Sequence, residues 1–359
     1  MANPQEPLNA VYSPSWRVYK DIPPSALQLQ YINRVYYAFI LANEDGTLRS
    51  LDEHADHNIA VDGVTGCIAA TAALKHISPL GGRLQIVASI GGGSGSAPFP
   101  ALAADPGSRE TFAAACRQFV DEHGFDGVDI DWEHPENPQS GNDYIALLRT
   151  LREHLPGPRY LLTTALPVGE WVLKHIDLHA AGQLLDSLNL MSYDFTGGWT
   201  EVCGHHAQLL PPPGRAEDCH PVMRTSAHEG VEYVVGRGFP RHKIVLGIPA
   251  YARSFADAHG PGQPFTAAEE MDYCDMPREW IHRANLDRNT GAAWYVDGGD
   301  QQEGGGKGFV SFDVPPTVRH KAGYARSMGL GGLFYWTGAG DVVGPESLIR
   351  AGFEGLRQY

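Results

Sequence analysis

Short apolar, β-rich runs recur eight times along this chain, and segments with helical spacing separate them. The runs are Asn9 to Tyr12, Arg34 to Leu41, Leu84 to Ile90, Gly127 to Trp132, Leu161 to Leu166, Ser187 to Tyr193, Lys243 to Tyr251 and Gly332 to Trp336. Strands that alternate with helices pair in parallel, because each crossover helix carries the chain back to start the next strand in the same direction. Eight such units predict an α/β fold, a closed (β/α)8 TIM barrel, whose chemistry sits at the C-terminal ends of the strands. A length of 359 residues accommodates one such barrel with an insertion.

The helices between the runs are punctuated. Ser226-Ala227-His228-Glu229 reads as a capping box, and Gly236 follows Val231, Val234 and Val235 as a stop. The segment Arg109 to His123 starts after Ser108 and ends at Gly124. Asn142 opens another, in which Ile145, Leu148 and Leu151 share a face and which Pro156 closes. The stretch Ser254 to Phe312 breaks the alternation: it is too long for a connection and carries its own apolar runs, Ala292 to Val296 and Gly308 to Phe312. It predicts a small α+β insertion domain between strands 7 and 8. The organisation is then barrel over 1–253, insertion over 254–312, and last strand with a C-terminal helix over 313–359. Gly91 to Gly95, Pro211 to Pro213 and Gly304 to Gly306 read as loops.

A formal charge of -15 disfavours nucleic acid and anionic membrane as partners, since either calls for a basic patch. No run approaches the roughly 20 apolar residues of a membrane span. Met1 to Asn9 lacks the basic and apolar blocks of a secretory leader, which favours the cell interior and leaves export to a chain whose leader has been removed. Five widely spaced cysteines, without a C-x-x-C pair, do not form a disulfide framework; Cys203 with Cys219 is the one pairing the loop spacing leaves open. Cys203, His205, His206, Cys219 and His220 match no common zinc spacing, so neither a metal nor a cofactor is expected.

The segment Asp126-Gly127-Val128-Asp129-Ile130-Asp131-Trp132-Glu133 carries the chemistry. Side chains two apart on a strand share a face, so Asp129, Asp131 and Glu133 point one way and Val128, Ile130 and Trp132 the other. Three carboxylates aimed into a barrel repel one another and resist full ionisation, which traps a proton near neutral pH. They titrate jointly. A retained proton is what a general acid requires, and Glu133, nearest the mouth and longest, is the best placed donor.

This octapeptide resembles the signature of family 18 glycoside hydrolases, the chitinases. Ser89-Ile90-Gly91-Gly92 is similar to the family's third-strand motif, and Met191-Ser192-Tyr193-Asp194-Phe195 with Gly198-Trp199 to its sixth. Gly247 to Phe255 is similar to the seventh and Gly331 to Trp336 to the eighth, in the same order and spacing. The loop Gly204-His205-His206-Ala207-Gln208 is similar to the one that follows the sixth strand in chitinases.

The resemblance implies hydrolysis of β-1,4 bonds in chitin and N-acetylglucosamine oligosaccharides, by a retaining route in which the substrate's own acetamido group is the nucleophile. It implies Glu133 as acid and base, Asp131 on the acetamido N–H, Asp129 sharing a proton with Asp131, and Tyr193 on the acetamido carbonyl. It further implies Asp194 paired with Arg253 near the scissile bond, Trp336 under the distorted sugar, and Tyr12, Phe39, Ser89, Met191 and Tyr251 lining or supporting the pocket. A monomer is expected. A chitin-binding, lectin-like relative without turnover and an endo-N-acetylglucosaminidase acting on N-glycan cores are the alternatives. Glu133 with both aspartates opposes the first, and the long insertion, walling a cleft for a linear chain, opposes the second. One departure stands out: many chitinases carry a Trp after the third-strand motif, and this chain has Gly93.

Overall fold

Eight parallel strands close on themselves in the computed structural model, which describes residues 6–214, 216–299 and 306–358. The barrel strands are Leu8–Pro14, Arg34–Ala42, Gln85–Gly91, Gly127–Asp131, Leu161–Pro167, Ser187–Met191, Ile244–Pro249 and Gly332–Trp336. Each pairs with its sequence neighbour, and the first also pairs with the last, Leu8 opposite Gly332 and Val11 opposite Tyr335. The short strand Leu48–Ser50 adds antiparallel to the second. Residues 1–5, where the expectation about a leader partly falls, and 304–305 of the glycine tract lie outside the described residues.

The alternation on the fourth strand is as expected. Val128, Ile130 and Trp132 face the helix layer, where Trp132 stacks on Phe99 with centroids 5.5 Å apart and meets Tyr144 at 6.0 Å. All three rings are buried, so truncating Trp132 to Ala would cost about 3–5 kcal/mol. That packing fixes the strand's rotation, and the rotation sends the acidic side chains inward.

Two helix starts differ from the expectation for one reason. The helix placed from Arg109 begins at Pro106, capped by Asp105, whose carboxylate accepts from the Ser108 N–H. The helix placed from Asn142 begins at Pro138, with Asn137 and Ser140 forming a reciprocal capping box. In both, Pro takes the first helical position, where its missing N–H costs nothing. Of the expected capping box at Ser226, the Ser half forms, accepting from Glu229 N–H, while the Glu229 carboxylate takes the Ser226 hydroxyl; Gly236 is the last residue of that helix, Ala227–Gly236, and Arg237 its C-cap.

The run Lys243 to Tyr251 is not one strand. Its barrel part stops at Pro249, and Tyr251–Phe255 belongs to a second, antiparallel sheet. That sheet has the order Ala268–Asp272, Tyr251–Phe255, Gly308–Phe312, Ala292–Asp297, Asn285–Asp287. Likewise the sixth strand ends at Met191, two residues short of the expected Tyr193. A fully buried ion pair, Lys321 with Asp313 at 2.5 Å, ties the end of Gly308–Phe312 to the helix Pro315–Ser327.

All five cysteines are free, Cys203 and Cys219 included. Asp272, Cys274 and Asp275 lie close enough to hold a metal, but Arg17 and Lys20 already pair with the two aspartates. No helix among the described residues is long and apolar enough to cross a membrane.

Candidate active site

Asp129, Asp131 and Glu133 rise through the barrel in that order, and their surroundings differ. Asp129 is fully buried and accepts from Tyr12 and Ser89 hydroxyls at Oδ2, each 2.8 Å, and from the Thr163 hydroxyl at Oδ1, 2.6 Å. Burial raises its proton affinity, and the three hydroxyls oppose that rise. Asp131 is also buried, but its Oδ1 has no partner. Burial, then the charges of Glu133 and Asp129, hold its carboxyl well above the ordinary carboxylate range. No hydrogen bond joins the two aspartates among those described, since the oxygens of Asp129 are taken by hydroxyls. Glu133 is partly exposed at the mouth, and burial followed by the charge of Asp194 raises its proton affinity too.

The end of this strand is clamped by the loop after the third. Gly92 N–H donates to Asp131 O at 2.8 Å, and the Glu133 N–H donates to Ser96 Oγ at 2.9 Å. Ser96 Oγ also lies 2.9 Å from Gly92 O and 3.1 Å from Asp131 O. Gly91, with φ of 119°, approaches so closely that a Cβ there would sit 2.3 Å from Asp131 O. The glycines that follow Ile90 therefore serve backbone contact with the acidic strand, in a conformation only glycine adopts readily.

Asp194 sits at the other side of the mouth in the left-handed region, φ 61°. It accepts from Tyr251 Oη and Arg253 Nε, both at 2.7 Å, and His206 Nδ1 lies 3.6 Å away. Burial alone would raise its proton affinity, but His206 and Arg253 outweigh burial and leave the carboxyl below its ordinary range. Arg253 also reaches Glu270 at 3.3 Å and lies 4.7 Å over the ring of Trp199.

Two cavities meet at Glu133. The smaller, about 270 Å³, is lined by Tyr12, Trp16, Phe39, Asp131, Tyr251, Glu270 and Trp336 among others. Its aromatic wall is continuous: Trp336 stacks on Phe39 at 5.7 Å, and Phe39 meets Trp16 at 6.2 Å. The larger, about 770 Å³, includes His134, Trp171, Trp199 and Tyr233 in its lining. Glu133, Met191, Tyr193 and Asp194 line both and so form the boundary. Tyr193 is packed edge-on to Tyr251 and Phe334, each at 6.1 Å, and burial first, then Asp131, keeps its phenol protonated far above neutral pH.

Of the residues expected at the site, Glu133, Asp131, Tyr193, Asp194, Met191, Tyr251, Tyr12, Phe39 and Trp336 border a cavity. Asp129 and Ser89 lie beneath, bonded to each other, and Arg253 lies behind Asp194. Sequence reading missed Trp16, His134, Trp171 and Glu270. The one available signal was that Trp16 and Trp171 are large aromatics in turn-rich segments near strand ends. His134 packs edge-on against Trp171 at 5.2 Å, and burial lowers its ring to about 4, so it is neutral beside the acid.

A protonatable acid set between two aromatic-walled cavities at the mouth of a parallel barrel is the arrangement of a glycosidase. The sequence profile described as glycosyl hydrolases family 18 matches residues 9–341. The chain belongs to that family. It is 31% identical over 367 residues to Endochitinase 1 of Metarhizium robertsii, covering 95% of this chain and 83% of that protein. It is 30% identical over 373 residues to Chitinase 1 of Aphanocladium album, covering 97% and 85% respectively. The fold is similar to that of the Group IV chitinase of Ostrinia furnacalis, with a TM-score of 0.86 and 23% identity over 99% of this chain and 100% of that one.

Proposed function

We propose that this enzyme is a chitinase that cleaves β-1,4 bonds between N-acetylglucosamine units of chitin and its oligosaccharides, with retention and without a protein nucleophile. The observation that carries the reading is Asp131: a buried carboxylate oxygen without a donor, directly below Glu133 on the strand and at the edge of the smaller cavity. A 2-acetamido N–H is the donor that completes it, and a buried polar atom left unpaired otherwise costs about 1–3 kcal/mol.

The sugar on Trp336 occupies the smaller cavity, and the leaving part of the chain runs into the larger one. Glu133 gives its proton to the glycosidic oxygen as the C1–O bond breaks. The acetamido carbonyl oxygen bonds to C1 from the opposite face and forms an oxazolinium ion, whose positive charge Asp131 stabilises. Being tethered to the reacting ring, this nucleophile needs no further translational entropy to arrive. The protonated Tyr193 hydroxyl is the donor for the acetamido oxygen. Water then attacks C1 as the bond from C1 to the acetamido oxygen breaks and restores the acetamido group, Glu133 takes the proton of the water, and the β-anomer is released.

Digestion of the N-acetylglucosamine hexamer, followed by NMR of the first-formed reducing ends, tests the reading. β-Anomers are expected. α-Anomers as initial product exclude the oxazolinium route.

A further inference from the structure

The barrel interior below the acids holds a hydrogen-bonded chain that the reaction above leaves unused. Arg34 opens the second strand and is only 5% exposed. Its guanidinium donates to Gln85 Oε1 at 2.9 and 2.8 Å, to Ser187 Oγ at 3.0 Å and to Tyr36 Oη at 3.2 Å. All three partners are neutral, and no ion pair among the described residues involves Arg34. A buried cation without a counter-ion is costly. From Tyr36 the chain continues: Tyr36 Oη to Asn189 Oδ1 at 3.2 Å, Asn189 Nδ2 to Tyr12 Oη at 2.9 Å, Tyr12 Oη to Asp129 Oδ2 at 2.8 Å. Tyr36, Asn189, Tyr12 and Asp129 are all buried, and the two tyrosine rings stack at 4.7 Å.

The direction of this chain is forced from its far end. A guanidinium only donates, so Tyr36 accepts from it and turns its own proton to Asn189 Oδ1. That sets the Asn189 amide with Nδ2 toward Tyr12, which must therefore donate onward to Asp129. The chain cannot run in reverse, because Arg34 offers no acceptor. Asp129 Oδ2 is thus held as an acceptor, and Ser89 donates to the same atom.

We propose that Arg34 is the counter-charge of Asp129, acting through Tyr36, Asn189 and Tyr12 to keep it the anionic member of the acidic row, so that the row's proton resides on Asp131 and Glu133. Among the described residues, the titratable or charged groups that bond to Asp129 or act on it electrostatically are Tyr12, Arg34, Asp131, Tyr144 and Tyr193, with Tyr36 one step back in the relay. Arg34 is the one cation, and its charge opposes the rise that burial gives Asp129. Arg34 touches no substrate; it is a positioning residue, and its role rests on the reading of Glu133 as the acid.

The test compares Arg34→Met, which removes the charge, with Tyr36→Phe, which keeps both charges and breaks the relay. The pH dependence of kcat/KM on the N-acetylglucosamine hexamer is measured alongside melting temperature against pH, each variant also in an Asp129→Asn background. Without Arg34 the Asp129 anion is harder to hold, so the acidic limb of kcat/KM moves up by about one pH unit, with a smaller move in the same direction for Tyr36→Phe. For the same reason the melting-temperature loss of Arg34→Met is larger near neutrality than in mild acid, and that difference disappears in the Asp129→Asn background. An unmoved acidic limb with an equal loss of melting temperature at every pH overturns the proposal and leaves Arg34 a packing residue. Should the unaltered enzyme not cut the hexamer, the chitinase reading fails, and the melting cycle still decides the Arg34–Asp129 coupling by itself.

Discussion

Asp129 and Asp131 face the same barrel interior two residues apart, and three hydroxyls hold the first while Oδ1 of the second has no partner. The row is therefore graded. Three protein hydroxyls oppose the effect of burial on the lower member, and no protein donor does so at Oδ1 of the middle one.

That gradient has a stability consequence. Burial and its charged neighbours raise the proton affinity of folded Asp131 above that of the unfolded chain. Such a group favours folding most below the ordinary carboxylate pKa, and the benefit is lost as pH rises through the folded value. At neutral pH Asp131→Asn should accordingly melt higher than the unaltered enzyme, by about 2 °C or more, with the gap closing in acid. Hydrolysis should be lost in the same variant. Calorimetry across pH, read beside hexamer turnover, checks both halves.

Glu133→Gln keeps the shape of the boundary between the cavities and removes the transferable proton. Turnover of the hexamer should fall by about 10²–10⁴-fold. Binding, measured by isothermal titration, should persist, because the aromatic walls at Trp336 and Trp199 are untouched. Turnover that survives unchanged would remove Glu133 from the acid role.

Asp194 acts on Glu133 from across the mouth. After burial, its charge is what raises the proton affinity of Glu133. In Asp194→Asn that charge is gone and Arg253 keeps only Glu270 as an anionic partner, so the alkaline limb of kcat/KM, where the acid loses its proton, should move to lower pH. Stability responds with the opposite sign to Asp131. The folded carboxyl of Asp194 lies below its ordinary range, so its contribution is present above that range and lost as pH falls through the folded value. The variant should melt lower than the unaltered enzyme near neutrality and approach it in acid.

The acidic row was legible in sequence because a period of two on one strand settles which side chains share a face, whatever surrounds them. The helix starts at Pro106 and Pro138 were less so: a downstream Ser or Asn looks like a cap until the Pro at the first helical position is weighed. The break at Ala250 was hidden because Ile244 to Tyr251 has no charged or amide side chain, and only pairing partners distinguish barrel from insertion. Arg34 could not be read at all. Its partner Ser187 lies 153 residues away, and nothing local marks a strand-opening Arg as buried.

Trp171 is 60% exposed and Trp199 62%, and both border the larger cavity on the leaving-group side. On the proposed reading their exposed ring surfaces, the one on Trp199 opposite Arg253, take sugar faces, each worth about 1 kcal/mol or more when covered. Trp171→Ala should lower kcat/KM on the hexamer by about tenfold and shift the first cut toward products that leave fewer units in that cavity. Product lengths at early times, separated by chromatography, provide the measurement.

Gly93 lines the smaller cavity, beside Glu133. A Cβ built there meets the Glu133 carboxylate at 3.8 Å and nothing closer, which is ordinary contact, and its φ lies outside the left-handed region. Gly93→Trp should therefore fold with little strain and place a third indole beside the acid. Affinity for insoluble chitin should rise by about fivefold, as one more sugar face is covered. The new ring also displaces water from Glu133, which raises its proton affinity further, so the alkaline limb should move up while that of Asp194→Asn moves down. A sedimentation assay with chitin and a pH profile on the soluble hexamer separate the two effects. Unchanged affinity would mean that Trp16 and Trp336 already cover the sugar faces in that cavity.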